Sequence, residues 1–157
     1  MSGSIGSGSL LFHLPAKSPQ QMNPVVLAYI GDAVFELLVR QYLISLPNQK
    51  SHHLHREATK LVSAKGQRGI LERWQPHLTE EEADIVRRGR NSKSGAPPKN
   101  ADYADYRFAT ALESLIGYLY YEGRTERLNE LMSLAIAGEG AAGKGPAGAA
   151  DQEEDKP

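Results

Sequence analysis

The sequence predicts an all-α domain of five or more helices, and three observations carry that expectation. No stretch alternates apolar and polar residues with the period of two that a half-buried strand requires. Apolar residues recur instead at helical spacing in successive segments between Val25 and Ile136. Two helix starts are written in full: Asn23-Pro24 is an N-cap followed by a proline at the first helical position, and Thr79-Glu80-Glu81-Glu82 is a capping box.

Taken in order, residues 1–20 are rich in Ser and Gly, with Pro15 and Pro19, and read as a flexible leader. The folded domain is expected over 21–137. Its first helix, NPVVLAYIGDAVFELLVRQYLI (Asn23 to Ile44), is apolar almost all round, which predicts a central position; it ends before Pro47-Asn48. A second helix is expected from Ser51 to about Gln75, with a bend or break near Lys65 to Arg68 because Gly66 and Gly69 weaken its middle. Thr79 caps a third that runs to about Arg90. Asn91 to Ala101 (NSKSGAPPKNA) has the composition of a loop. A fourth helix begins near Asp102 to Asp105 and stops at Gly123, a good C-cap. The last covers Thr125 to about Ala137. Residues 138–157, mostly Gly, Ala, Pro and acids, read as a disordered tail.

Composition removes several classes of function. At 157 residues the chain is one domain in size, and it has no cysteine, hence no disulfide, thiolate metal site or cysteine nucleophile. The most apolar run, Val25 to Ile44, contains Asp32, Glu36 and Arg40, which does not suit a membrane span. No basic segment resembling a signal or transit peptide opens the chain, so a soluble cytoplasmic protein is the expectation. Phosphate-loop, dinucleotide and serine-hydrolase motifs are missing, and His52-His53-Leu54-His55 lacks the spacing of a zinc helix.

Charge is unevenly spread behind a net value of −1. The tail from Gly138 holds five acids and two lysines, while Met22 to Ala137 holds fifteen Lys or Arg against fourteen acids. Within that domain, Arg87, Arg88, Arg90, Lys93 and Lys99 form a basic run without an acid. Such a block suits phosphate binding, although a solvated face looks the same.

Two acids stand out because their neighbours are apolar. Asp32 lies in mid-helix directly after Gly31, where Asp is a poor helix former and burial is costly unless something binds the carboxylate. Glu36 follows one turn on, placed either to support Asp32 or to pair with Arg40. Glu113 lies in a second apolar segment, Ala109 to Tyr121, which also carries a glycine, Gly117. Gly31 and Gly117 would let two helices approach closely and bring the two acids together. Paired carboxylates raise each other's pKa unless a cation sits between them, and Mg²⁺ takes one or two carboxylates with waters and phosphate oxygens. The tyrosines Tyr103, Tyr106, Tyr118, Tyr120 and Tyr121 read mainly as packing residues with hydrogen-bonded hydroxyls.

At these segments the chain resembles the ribonuclease III family. LAYIGDAVFELLV (Leu27 to Val39) is similar to that family's LEFLGDAVLELVV, and ALESLIGYLYYEG (Ala111 to Gly123) to its VEALIGALYLDGG. LHREATKLVSAKGQ (Leu54 to Gln67), RRGRNSKSGAPPKNAD (Arg87 to Asp102) and YRFATALESLIGYLYYEG (Tyr106 to Gly123) are similar to segments of its shorter mini-ribonuclease III branch, which has no double-stranded-RNA-binding domain. The resemblance implies a Mg²⁺-dependent endonuclease of double-stranded RNA, with Mn²⁺ a substitute, acting as a homodimer and leaving 5′-phosphate and 3′-hydroxyl ends. It further implies a role in maturing the 23S ribosomal RNA precursor. Asp32 and Glu113 match the family's metal-binding acids. Ala28 and Thr110 stand where the broader family has two further acids, a loss shared by the mini branch, so fewer ligands are expected. The resemblance also gives the basic run a role: Arg87, Arg88, Arg90, Asn91, Lys93, Ser94 and Lys99 would meet phosphates and 2′-hydroxyls, with Lys65 and Gln67 behind them. The competing reading is a non-catalytic helical RNA-binding or ribosome-assembly protein of the same fold, which has no need of both acids.

Overall fold

Asn23 opens the first helix as its type predicts: its side-chain oxygen accepts from the Val25 amide at 2.9 Å, and Pro24 occupies the first turn. The computed structural model describes residues 12–92, 99–100 and 102–143, and among them six α-helices and no strand. These are α1 (Pro24–Ile44), α2 (Ser51–Val62), α3 (Ala64–Trp74), α4 (Glu80–Asn91), α5 (Tyr103–Tyr121) and α6 (Thr125–Gly143). The outermost parts of the expected leader and tail, residues 1–11 and 144–157, lie outside the described residues, as do Lys93 and Ser94.

The expected second helix is two helices. The break falls at Ser63, earlier in the chain than the glycines suggested, because Ser63 turns extended (ψ 155°) and its hydroxyl accepts from the Gly66 amide at 3.1 Å as the cap of α3. Gly66 serves the packing instead: a Cβ there would overlap the carbonyl oxygen of Lys60. The capping box of α4 forms as read, with Glu82 N donating to Thr79 Oγ1 (3.2 Å) and Thr79 N donating to Glu82 Oε1 (2.9 Å). Asp102 caps α5 through the amides of Ala104 and Asp105. Gly123, at φ +70°, ends that helix, and Arg124 N reaches back to Leu119 O at 3.0 Å. α6 continues past the expected Ala137 to Gly143.

The helix at the centre is α5 rather than α1. Ten of its residues are buried, and α1, α3 and α4 all pack against it, with α6 lying on α3 and α5. α1 buries one side, through Leu27, Val34, Phe35, Val39 and Leu43, but leaves Val26, Tyr29, Leu37 and Ile44 exposed on the other. An apolar sequence all round a helix predicts full burial only if every face has a partner. Here one face has none among the described residues.

Interactions distant in sequence lock the helices together. Trp74, fully buried, donates Nε1–H to Leu131 O at 2.7 Å, which fixes α3 to α6. Glu82, also fully buried, meets Arg127 through two bonds of 2.9 and 2.8 Å, tying α4 to α6. Burial pushes the Glu82 carboxyl up, but the Arg127 and Thr79 hydrogen bonds outweigh it and leave the group below its ordinary range. Ser114 Oγ donates to Pro24 O at 2.8 Å, joining α5 to the start of α1.

Candidate active site

The site is built by a crossing of α1 and α5 at two glycines. A Cβ on Gly31 would overlap the carbonyl oxygen of Glu113, and one on Gly117 would overlap that of Leu27. The backbones therefore touch directly, as side-chain-free positions allow. Asp32, next to Gly31, and Glu113, whose own carbonyl meets Gly31, are set side by side across that crossing.

The two acids feel their surroundings differently. Burial pushes the Glu113 carboxyl up to about 7, the Asp32 charge adds to the rise, and a hydrogen bond from Gln67 opposes it. Asp32 is raised too, first by burial and then by Glu36. Among the described residues no cation contributes to either shift. The carboxylate of Glu36 meets Arg40 at 3.3 Å on the exposed side of α1.

This donor set fits Mg²⁺. Two carboxylates without a cationic partner leave excess negative potential, and Mg²⁺ is commonly held by one or two carboxylates with waters and phosphate oxygens filling the rest of an octahedron. Among the described residues no group of three or more His, Asp or Glu converges on one point. The positions of the absent family acids supply nothing further: Ala28 is buried, and Thr110 spends its hydroxyl on Tyr106 O at 3.0 Å.

The basic residues divide. Lys65 and Lys99 are exposed, and Arg88 is half-buried on α4. Arg87 pairs with Asp84. The Asn91 side-chain oxygen and the Arg90 carbonyl both accept from Arg107, at 3.2 and 2.9 Å, so Arg107 binds the end of α4 to α5. Gln67 is buried, 3% exposed, and its Nε2 donates to Val62 O at 3.0 Å. Arg107 was hidden in sequence, where it looks like one more polar residue on a helix.

An all-helical domain that sets two carboxylates side by side at a glycine crossing, with a basic end to α4, has the make-up of a helical nuclease. Comparison with known proteins agrees. The ribonuclease III domain family matches residues 25–124. The chain is 49% identical to the Mini-ribonuclease 3 of Brevibacillus brevis over 121 residues, covering 77% of this chain and 90% of that one. It is 46% identical to the Mini-ribonuclease 3 of a Thermoanaerobacter species over 115 residues, covering 73% and 81%. A crystal structure of a Fusobacterium nucleatum protein superposes with a TM-score of 0.69 at 30% identity, over 79% of this chain and 99% of that one. The chain belongs to the ribonuclease III family, in its mini-ribonuclease branch, and is an endoribonuclease.

Proposed function

We propose that this protein is a Mg²⁺-dependent endonuclease of double-stranded RNA that works as a homodimer, with the 23S ribosomal RNA precursor as its cellular substrate and the cytoplasm as its compartment. Mn²⁺ would substitute for Mg²⁺. The observation that carries the reading is the pairing of Asp32 with Glu113 at the Gly31–Gly117 crossing, with no cation among the described residues to balance them. A helical RNA-binding or ribosome-assembly protein without catalysis has no use for two such acids, each pushed up in pKa by the other or by burial.

Mg²⁺ bound there would supply the charge that activates a water for attack on phosphorus and stabilises the leaving 3′ oxygen. The chain's part is to hold Asp32 and Glu113 at fixed separation on two rigid helices whose backbones touch. Lys65, Arg88, Arg90 and Lys99, with Lys93 and Ser94 between them in sequence, would bind phosphates and hydroxyls along the duplex. Among the described residues no helix is long and apolar enough to cross a membrane. Support for the dimer comes from the exposed apolar face of α1, where Val26, Tyr29, Leu37 and Ile44 are 46 to 85% exposed.

The test is cleavage of duplex RNA in Mg²⁺ by wild type, Asp32→Asn and Glu113→Gln. Wild type should leave 5′-phosphate and 3′-hydroxyl ends, and each variant should be slower by at least about a hundredfold, on the scale of losing one electrostatic partner of the transition state. Equal cutting by all three, or none by wild type on any duplex, would end the catalytic reading.

A further inference from the structure

Helix α4 ends in cations that face no acid. Arg88 and Arg90 lie in its last turn, half-buried, and neither side chain forms a hydrogen bond or ion pair among the described residues. The backbone beneath them is fixed to α5 at two points. One is Gly89, where a Cβ would lie 2.9 Å from Ala111 Cα and 2.8 Å from Ser114 Oγ, so the helices meet with no side chain between them. The other is Arg107, whose Nε donates to Arg90 O at 2.9 Å and whose Nη2 donates to Asn91 Oδ1 at 3.2 Å. Carbonyls of a last helical turn lack partners within the helix, and a cation there suits the negative end of its dipole. The Arg107 guanidinium also lies 5.7 Å from the centre of the Tyr103 ring, one turn back on α5. Glu113 follows Arg107 by six residues on the same helix, about 9 Å along its axis. One rigid helix carries both the clamp and an acid of the site.

We propose that Arg107 is a positioning residue for duplex RNA: it locks the end of α4 onto α5 and so holds Arg88 and Arg90 where they bind a duplex whose scissile phosphate sits at Asp32 and Glu113. Arg107 acts through the α4 end and not by touching RNA, since two of its N–H groups are already committed to Arg90 O and Asn91 Oδ1. The planar fork of arginine makes both bonds from one side chain, which the single ammonium of lysine on a flexible stem cannot reproduce. This inference rests on the nuclease reading above.

The experiment measures kcat and KM for duplex RNA in Mg²⁺, with thermal melting, for wild type, Arg107→Lys and Arg107→Met. It adds a chain carrying Arg88→Gln with Arg90→Gln, and that chain with Arg107→Met as well. Both single variants should raise KM about tenfold and keep kcat within about twofold of wild type, the mark of lost binding and not of lost chemistry. Where Arg88 and Arg90 are already replaced, Arg107→Met should add no more than about twofold to KM, because residues that act together are not additive. An Arg107→Lys with wild-type KM would reveal a direct charge contact with RNA and overturn the inference, as would a full tenfold rise from Arg107→Met on top of the two glutamines. A lower melting temperature with KM unchanged, as a purely structural clamp gives, overturns it too. Where Arg107→Met does not fold, Arg107→Lys decides: a raised KM supports the inference and an unchanged one removes it. Wild type that cuts no duplex removes the nuclease reading and this inference with it. Wild type that cuts, beside an Arg107→Lys of equal KM, removes this inference alone.

Discussion

Glu113 sits with its carboxyl pushed up to about 7, which makes the metal-free fold pay for the site at physiological pH. The sign follows from proton counting. Between the ordinary value of 4.5 and about 7 the folded protein keeps a proton on Glu113 that the unfolded chain has released, so stability falls as pH rises through that window and is level above it. The shift corresponds to about 3 kcal/mol, and Asp32, raised in the same direction, adds to it. In chelator, the urea midpoint of wild type should therefore drop between pH 5 and pH 8. Glu113→Gln should lose most of that slope and be more stable than wild type at pH 8 although inactive. A wild-type midpoint independent of pH would show the carboxylate to be solvated. Added Mg²⁺ should restore stability chiefly at the upper end, since it competes with the proton. At this scale Asp32 and Glu113 were legible because an acid among apolar neighbours needs a reason. The burial of Gln67 was not, because it stands between Lys65 and Arg68 in sequence, and Val62 O is free to accept from it only once the chain breaks at Ser63.

Among the helices, the distinction between glycines that allow contact and glycines that merely weaken a helix is sharp. Gly31 and Gly117 face backbone atoms that cannot move aside, whereas a Cβ on Gly69 would meet only Arg73 Nη1, at 3.7 Å. Gly31→Ala should force α1 from α5, cost about 1–3 kcal/mol or more, and abolish cleavage by parting the acids. Gly69→Ala should do the reverse, raising stability by about 0.5–1 kcal/mol through helix propensity, with activity intact. Thermal melting and duplex cleavage on the two variants check both halves, and a fully active Gly31→Ala would mean that the crossing does not set the site. Local signals were readable at this scale: both caps and the Gly123 stop rest on neighbours in sequence. The split of the second helix at Ser63 was missed because a serine cap in mid-segment looks like an ordinary helix residue. The buried role of Glu82 was missed because its partner, Arg127, is 45 residues away, and the capping box already accounted for the acid.

For the molecule as a whole, the open question is what covers α1. Val26, Tyr29, Ala33, Leu37 and Ile44 recur at helical spacing on its outer face and are all exposed, with Asp32 and Glu36 along one edge. The sequence showed an apolar helix and suggested a buried one; it could not show that no described residue covers this face. A second copy is the occupant that agrees with the nuclease reading. A face meeting its own image about a two-fold axis would bring two acid pairs into one particle, one for each strand of a duplex. Replacing Tyr29 and Leu37, 85 and 46% exposed, by lysine touches no internal packing of the monomer, so the fold should survive with an unchanged circular dichroism spectrum. Sedimentation should then shift from a particle of about twice the 17.2 kDa chain to one chain. Cleavage of both strands of a duplex should fall with it, while Asp32→Asn stays dimeric and inactive. A wild-type protein that sediments as one chain and still cuts both strands would take the dimer out of the proposal, leaving the acid pair of a single copy to act twice.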